Sequence, residues 1–141
     1  MAENVRPYTE ALKRLRAANL RPTRQRLALA NLLFSGGDRH VTAESLHKEA
    51  RARRVRVSLA TVYNTLHQFT KAGLLREVVV DATRSHFDTN TSHHHHFFRE
   101  DGQHLSDIPG DSVRIDDLPP PPEGTEISRV DVVVRVRRRD R

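Results

Sequence analysis

The chain has 141 residues, a formal net charge of +6 and no cysteine. This length suffices for one ordinary domain, or for two small ones that share a modest core. The lack of cysteine excludes disulfides, Cys-based zinc sites, iron–sulfur clusters and thiol nucleophiles, so any metal must be held by histidine and carboxylate. No apolar run approaches the roughly 18–20 residues that span a membrane, and the first residues lack the apolar core of a secretion signal. We therefore expect a cytoplasmic protein with no membrane partner.

The charge is distributed unevenly along the chain. Residues 1–76 hold 15 Lys and Arg against 5 Asp and Glu, a balance of +10, whereas residues 77–141 hold 9 against 13, a balance of −4. A basic first half beside an acidic second half is typical of a protein that contacts nucleic acid with one end only. An arginine-rich surface that serves only solubility is the alternative interpretation.

Four helices are predicted in the first half, each from an apolar stripe at helical spacing with capping residues at its ends. They cover Pro7 to Ala18, "RPTRQRLALANLLFSGG", "HVTAESLHKEARAR" and "VRVSLATVYNTLHQFTKAGLL", with Thr23, Thr42 and Ser58 as caps and Asn19, Gly36–Gly37 and Gly73 as stops. The hairpin pattern "LLREVVVDATRSHFDT" follows the fourth helix. Helices followed by a hairpin are the chain order of a winged helix, which places one helix in the major groove of DNA.

The fourth helix is predicted to have two different faces. Its buried face comprises Leu59, Val62, Leu66 and Phe69. Its other face presents Thr61, Asn64 and Thr65, with Tyr63 at the flank. Short polar side chains can approach base edges and phosphates, and a tyrosine can pack against a thymine methyl group. An ordinary solvated helix face could have the same composition.

The second half is predicted to be small and rich in strands. "HHHHFFRE" and "QHLSDI" are strand candidates joined by a two-residue turn at Asp101-Gly102, although Glu100 or Gln103 could shift the register. A last strand, Ile127 to Arg137, alternates and places Val130, Val132, Val134 and Val136 on one face. About fifty residues form a poor isolated core, so we expect burial against a second copy of the chain.

Four consecutive histidines, His93 to His96, precede two phenylalanines. In a strand, His94 and His96 share one face with Phe98, and His93 and His95 share the other with Phe97. Two such imidazoles can converge on one metal ion, given a third ligand from elsewhere. Alternatively, one imidazole can bind a haem iron while the phenylalanines pack on the macrocycle. A solvated loop that binds nothing in the cell is the third interpretation.

Candidate carboxylate ligands flank this tract. Asp88 and Asp107 bracket it in the chain and are predicted to lie in the same sheet.

Several segments resemble a known family. "RPTRQRLALANLL", "HVTAESL" and above all "SLATVYNTLHQFTKAGLLREV" resemble the Fur superfamily of metal-responsive transcriptional repressors. "FDTNTSHHHHFFREDGQHLSDIP" and "PPEGTEISRVDVVVRVRR" resemble its iron-response-regulator (Irr) branch. The resemblance extends from about Tyr8 to Arg138. It implies an α+β protein with a winged-helix DNA-binding domain in residues 1–84 and a small, β-rich α/β dimerisation domain in residues 85–141.

The resemblance also implies roles for individual residues. Near the DNA it places Arg16, at the minor groove, and the recognition-helix residues Ser58, Thr61, Tyr63, Asn64 and Thr65, at the major groove. It implies one metal site at His40, Asp88 and His96. It implies a second, sensing site at His93, His95 and Asp107, which is incomplete because Val130 stands at about the position of the family's fourth ligand. In the Irr branch the tract binds haem, which here implies His94, His95 and His96.

The predicted function is therefore that of a homodimeric regulator of iron and haem homeostasis. It binds an AT-rich DNA operator when iron is scarce and is released by haem bound at the tract. An ordinary Fur-type repressor that responds to Fe, Mn or Zn ions is the alternative. An enzyme is disfavoured because the sequence has no H-E-x-x-H motif and too little chain in its second half to enclose a substrate. A histidine-rich metal store would leave the winged-helix half unexplained.

Overall fold

The computed structural model describes residues 8–140, which form a mixed α+β fold. The chain divides into two compact units, with the boundary between Thr91 and Ser92. The predicted start of the first helix at Pro7 lies outside the described residues. Among the described helices, none is long and apolar enough to cross a membrane.

The first unit has the order of elements that the sequence predicts, with one addition. Its elements are α1 (Thr9–Ala17), α2 (Arg24–Phe34), β1 (His40–Val41), α3 (Ala43–Ala52), α4 (Leu59–Lys71), β2 (Arg76–Asp81) and β3 (Arg84–Asp88). The hairpin of β2 and β3 follows α4, and β1 pairs with the outer side of β3 to complete an antiparallel sheet in the order β1-β3-β2.

The predicted N-terminal caps are confirmed. Each capping oxygen accepts a backbone N–H from the first turn of its helix: Arg26 donates to Thr23, Ser45 to Thr42 and Thr61 to Ser58. The Thr42 N–H in turn donates to Ser45 Oγ, which completes a reciprocal capping box at α3. Local sequence therefore determines where these three helices begin.

Three helices end with the same backbone motif. The residue after the C-cap adopts the left-handed conformation, and the N–H of the next residue bonds to the carbonyl five positions earlier. The left-handed residues are Asn19 (φ 59°), Arg54 (φ 60°) and Gly73 (φ 85°), and the bonds run from Leu20 to Leu15, Val55 to Ala50 and Leu74 to Phe69. The predicted stops at Asn19 and Gly73 are confirmed. Helix α2 ends at Phe34, before the predicted stop at Gly36–Gly37.

The core of the first unit is built from one side of each helix and the inner side of the hairpin. Helix α4 contributes Val62, Leu66 and Phe69, each 0% exposed. The prediction that Leu59 is buried is wrong: it is 41% exposed, because the first turn of α4 extends beyond the core. The placement of Thr65 on the exposed face is also wrong, because it lies between Val62 and Phe69 on the buried side and is 5% exposed.

Strand β1 was not predicted, because two residues carry no periodicity. Its pairs are His40 with Asp88 and Val41 with Phe87. The pairing continues outside the strand, since the Arg39 N–H donates to Thr89 Oγ1 (2.9 Å) and the Thr89 N–H donates to the Arg39 carbonyl (3.0 Å). These bonds keep residues 85–91 in the first unit, so the domain boundary predicted after residue 84 falls inside β3.

The second unit is a three-stranded sheet in the order β5-β4-β6. Its strands are β4 (His94–Arg99), β5 (His104–Pro109) and β6 (Val133–Val136), with a short 3-10 turn at Gly110–Ser112. Strand β5 is antiparallel to β4 and β6 is parallel to it.

Two predictions for the second unit need correction. The turn between β4 and β5 spans residues 100–103 rather than two residues, because Arg99 pairs with His104 and Gln103 takes the left-handed conformation (φ 50°). The last strand begins at Val133 and not at Ile127, and Val134 is 38% exposed, so the four valines do not form a uniformly buried face. Strand β6 ends at Val136, which pairs with Arg99 of β4 and whose carbonyl accepts the Glu100 N–H at 2.9 Å.

An arginine connects the segment before β1 to α3. The Arg39 guanidinium contacts both carboxylate oxygens of Glu49, at 2.9 and 2.6 Å, and donates to the Leu32 carbonyl at 3.0 Å. The hydrogen bonds from Arg39 lower the pKa of Glu49 below its ordinary value and outweigh the opposing effect of burial. The same contact raises the pKa of Arg39.

Replacing Glu49 by Gln is expected to lower the free energy of unfolding by about 1 kcal/mol near neutral pH, a value reduced by partial solvent screening. Because the folded pKa of Glu49 lies below its unfolded value, the stabilisation is full above the unfolded pKa and is lost as pH falls through the folded pKa. Urea unfolding at several pH values should show wild type and Glu49→Gln converging in acid. Glu44→Gln, an exposed change on the same helix, is the control; equal losses for both variants would contradict a specific role for the Arg39 contact.

Candidate metal centre and nucleic-acid interface

Strand β4 carries His94, His95 and His96, and His93 directly precedes it; His94 stands beside His96 and His93 beside His95, as predicted. The ring centroids of His94 and His96 are 4.6 Å apart, and those of His93 and His95 are 5.1 Å apart. His94, His95 and His96 are buried, with at most 4% of each exposed, whereas His93 is exposed. Burying three imidazoles is costly unless their nitrogens have partners. The tract is therefore a structured part of the sheet and not a solvated loop.

Asp107 of β5 lies directly opposite His96. Its Oδ1 is 3.5 Å from His94 Nε2 and 3.6 Å from His96 Nε2. In a tetrahedral site with metal–ligand bonds of about 2.0–2.1 Å, neighbouring ligand atoms lie roughly 3.3–3.4 Å apart. The distance from Asp107 Oδ1 to each imidazole nitrogen is therefore close to the separation of neighbouring ligands around a zinc-like ion.

The hydrogen bond of His94 fixes which of its nitrogens faces Asp107. His94 Nδ1 lies 2.7 Å from the Ser92 carbonyl, which can only accept, so Nδ1 carries the proton. In the neutral ring, Nε2 then presents a lone pair toward Asp107. A backbone carbonyl behind a histidine ligand is the usual way in which proteins orient such a ring.

The other face of β4 has a different role. His95 Nδ1 accepts the Val132 N–H at 3.1 Å, and the His96 N–H donates to the Val132 carbonyl at 3.1 Å, so His95 helps to attach the segment that leads into β6. The sequence-based grouping of Asp107 with His93 and His95 is not found. Asp107 faces His96, while Ile108 is opposite His95.

Gly110 permits the close approach of His93. A Cβ at this glycine would lie 2.5 Å from His93 Cδ2 and 2.7 Å from the His93 carbonyl oxygen. No residue with a side chain fits there without a shift of the backbone. The sequence did not identify this constraint, because Gly110 is distant from the tract along the chain.

In the first unit, the side chains of His40 and Asp88 contact each other. His40 Nε2 is 3.1 Å from Asp88 Oδ2, and the other carboxylate oxygen accepts the Asn90 N–H at 2.8 Å. Asp88 is fully buried. The prediction that Asp88 and Asp107 share a sheet is wrong, because β3 pairs with β1 and β2 whereas β5 pairs with β4. That His40, Asp88 and His96 hold one ion stays a prediction.

The exposed side of α4 carries the candidate DNA-contacting residues. Tyr63 is 43% exposed, Asn64 and Ser58 are exposed, and Thr61 is half-buried. The Ser58 Oγ is engaged in capping and also donates to Thr61 Oγ1 at 2.9 Å. Thr65 is buried and has no exposed surface to offer to a base edge.

Tyr63 is supported from behind by two further rings. Its ring centroid lies 4.7 Å from that of His67, and the His67 ring meets Phe87 edge-on at 5.5 Å. Such ring pairs contribute about 0.5–1.5 kcal/mol beyond simple burial. His67 therefore links the exposed tyrosine to the strand that carries Asp88.

Helix α1 presents Arg16 to solvent. The nearby Arg14 is used differently, because its guanidinium carbon lies 4.7 Å above the Phe34 ring. Of these two arginines, Arg16 is the one that remains available for a DNA groove.

Residues 17–119 match the ferric uptake regulator family. The chain belongs to this family. It is 34% identical over 91 residues to the peroxide-responsive repressor PerR of Staphylococcus epidermidis, a match that covers 64% of this chain and about 60% of the length of that curated relative.

Solved structures of Fur proteins share the fold. The ferric uptake regulator from Pseudomonas aeruginosa with manganese is 27% identical, with a TM-score of 0.68 over 92% of this chain and 98% of that one. The Vibrio cholerae ferric uptake regulator, 23% identical, has a TM-score of 0.71 over 89% and 97% of the two chains and shows the fold alone. The predicted α+β class is confirmed, and assignment to the Irr branch stays a prediction.

Strand alternation predicted the neighbouring positions of His94 and His96 in this Fur-family chain. Alternation grouped His94 with His96, whereas the resemblance assigned His94 only to haem. The contacts of Arg39 and Gly110 were missed, because they join segments that are far apart in sequence.

We expect His94→Ala and His96→Ala each to lower Zn²⁺ affinity by more than about 100-fold, since loss of even an outer partner costs about 10–100-fold. Isothermal titration of the metal-free protein measures this. His104→Ala, an exposed histidine on β5, is the control. If the three variants bind Zn²⁺ alike, the ion site is not at His94 and His96. A matching loss in His40→Ala would support the separate prediction that His40 also holds the ion.

Proposed function

We propose that the protein is a transcriptional regulator whose affinity for double-stranded DNA changes when a Zn, Fe or Mn ion is held by His94, His96 and Asp107. The observation that carries this proposal is the convergence of the two imidazoles on one carboxylate oxygen, at 3.5 and 3.6 Å. Family membership supports the regulatory role. A related structure contains manganese, which supports a divalent ion as the ligand.

DNA binding is assigned to the first unit. The basic half of the sequence lies there, and α4 begins with an exposed turn from which Tyr63 and Asn64 point to solvent. In a winged helix, the N-terminal part of the recognition helix contacts base edges. We therefore assign base contacts to Tyr63 and Asn64, a minor-groove contact in an AT-rich operator to Arg16, and backbone contacts to Ser58 and Thr61. The protein would act in the cytoplasm, and family membership supports a regulator rather than an enzyme.

A homodimer completes this proposal. Phe97 and Val134 are register partners on β4 and β6, yet they are 40% and 38% exposed. Two adjacent apolar side chains on one face of a small sheet are more stable when a second sheet covers them. Two copies would also present two recognition helices to a two-part operator.

A haem-released regulator is the second candidate function. It is favoured by the tract itself, in which four histidines precede Phe97 and Phe98, and by the resemblance of this segment to the Irr branch. His94, His95 and His96 are buried, so haem would bind only after a local opening of the structure. Haem that captured the opened form would then disfavour the DNA-bound form by a population shift.

The test uses two duplexes: one that the protein selects from a random library, and a scrambled version of it. Tyr63→Ala is expected to weaken binding to the selected duplex by about 10-fold or more and to change binding to the scrambled duplex little. His67→Ala should cause part of that loss, because it removes the ring behind Tyr63. His67→Phe, which keeps an aromatic ring there, should restore the wild-type affinity. Fluorescence anisotropy measures both duplexes. Equal losses on the selected and scrambled duplexes would contradict base contact by Tyr63.

The sign of the ligand response separates the two candidate functions. Titrating the metal-free protein with Mn²⁺ or Zn²⁺ should raise its affinity for the selected duplex, with no response in a His94→Ala, His96→Ala double variant and a normal response in His104→Ala. Saturable haem absorbance together with a fall in duplex affinity, absent from the double variant, would instead support the haem-released regulator. If neither ligand changes duplex affinity, the proposed regulation is wrong.

A further inference from the structure

The segment between α3 and α4 lies between two clefts lined by arginine. One cleft, of about 520 Å³, is lined by His47, Arg51, Arg54, Val55, Arg56 and Val57. The second, of about 320 Å³, shares residues 54–56 and is completed by Tyr8, Arg24, Gln25 and Ala28. We name the two together the arginine cleft. Among the described residues, no carboxylate lines either part, so the arginines have no acidic neighbour in the lining.

Arg54 occupies a backbone position that does not favour arginine. The equivalent positions at the ends of α1 and α4 are Asn19 and Gly73, the residue types that tolerate the left-handed conformation. Arg54 adopts that conformation (φ 60°) with a full side chain. An ordinary residue held in this conformation is a reason to look for a function of its side chain.

The backbone of the arginine cleft is fixed on both sides. The Val57 carbonyl accepts a bond from His47 Nε2 at 3.1 Å, and Gln25 Nε2 lies 3.5 Å from the Arg56 carbonyl. Arg56 is followed closely by Ser58, the residue that caps α4. Arg54 and Arg56 therefore lie on a segment that is hydrogen-bonded at two points and leads directly into α4, the helix that carries Tyr63.

We propose that Arg51, Arg54 and Arg56 bind consecutive backbone phosphates of the DNA beside the groove that α4 enters. The cleft supplies guanidinium groups, which suit phosphate oxygens, and lacks the lining carboxylates that would repel them. Because phosphate contacts carry no sequence information, these arginines add affinity and fix register without choosing bases. This inference rests on the proposed DNA-binding function. It identifies which arginines of the basic half contribute the salt-dependent part of the DNA affinity.

The salt dependence of duplex binding tests the proposal in the full-length protein. An Arg54→Ala, Arg56→Ala double variant should lower the slope of log affinity against log salt by roughly 1.8, about 0.9 for each lost phosphate contact. The loss of affinity should be equal on the selected and scrambled duplexes. An Arg114→Ala, Arg129→Ala variant removes the same charge from the second unit, where these arginines face Asp116 and Asp131, and should keep the wild-type slope.

A second variant separates binding from folding. Arg54→Gly relieves the left-handed backbone and should raise the melting temperature by about 2–4 °C, while lowering the salt slope by roughly 0.9. A purely structural arginine would not give a more stable protein that binds DNA less well.

Three outcomes overturn the inference. The first is an unchanged slope in the Arg54→Ala, Arg56→Ala variant while wild type binds the selected duplex. The second is a loss confined to the selected duplex. The third is saturation of the cleft by inorganic phosphate without competition with DNA, which would indicate a free anion as its ligand. If wild type itself binds no duplex selectively, the proposed function fails instead.

Discussion

The first unit depends on a two-residue strand, β1, that joins two points of the chain more than forty residues apart. His40 and Val41 pair with Asp88 and Phe87 across the chain, and ordering the loop between them costs entropy that two residue pairs alone offset poorly. Arg39 strengthens the closure through its backbone bonds to Thr89 and its side-chain bonds to Glu49 and Leu32. The closure brings His40 to a buried carboxylate and sets Phe87 against the ring that supports Tyr63. The candidate ligand pair and the DNA-facing side chain thus depend on one set of contacts.

The small second unit buries polar side chains as well as apolar ones. Three imidazoles occupy buried positions that aliphatic side chains fill in most sheets, and each has a polar partner: Ser92 for His94, Val132 for His95 and Asp107 for His96. About fifty residues bury little apolar surface, so an ion bound at His94, His96 and Asp107 would add folding free energy where it is scarce. The same ion could then alter both the stability of the sheet and any regulatory state that depends on it.

The arginines of the basic half have several different roles. Arg39 is held by Glu49, Arg14 covers the Phe34 ring, and Arg26 joins the Arg21 carbonyl to Gln68 of α4. These residues stabilise the first unit and have little freedom to bind DNA. The net charge of the basic half therefore overstates the number of arginines that can bind DNA. The exposed arginines of the arginine cleft are fewer than the total.

The amino-acid sequence alone determined the features that depend on neighbours in the chain: the caps at Thr23, Thr42 and Ser58, the hairpin after α4, and the alternation that sets His94 beside His96. Tertiary structure decided which carboxylate meets which histidine, because Asp107 faces His96 through strand register and Asp88 belongs to another sheet. It also decided that Thr65 is buried and Leu59 exposed, since helical periodicity does not specify where along its length a helix leaves the core. Strand β1, the Arg39 contacts and the restriction at Gly110 arise only when segments distant in sequence meet, and no local pattern encodes those meetings.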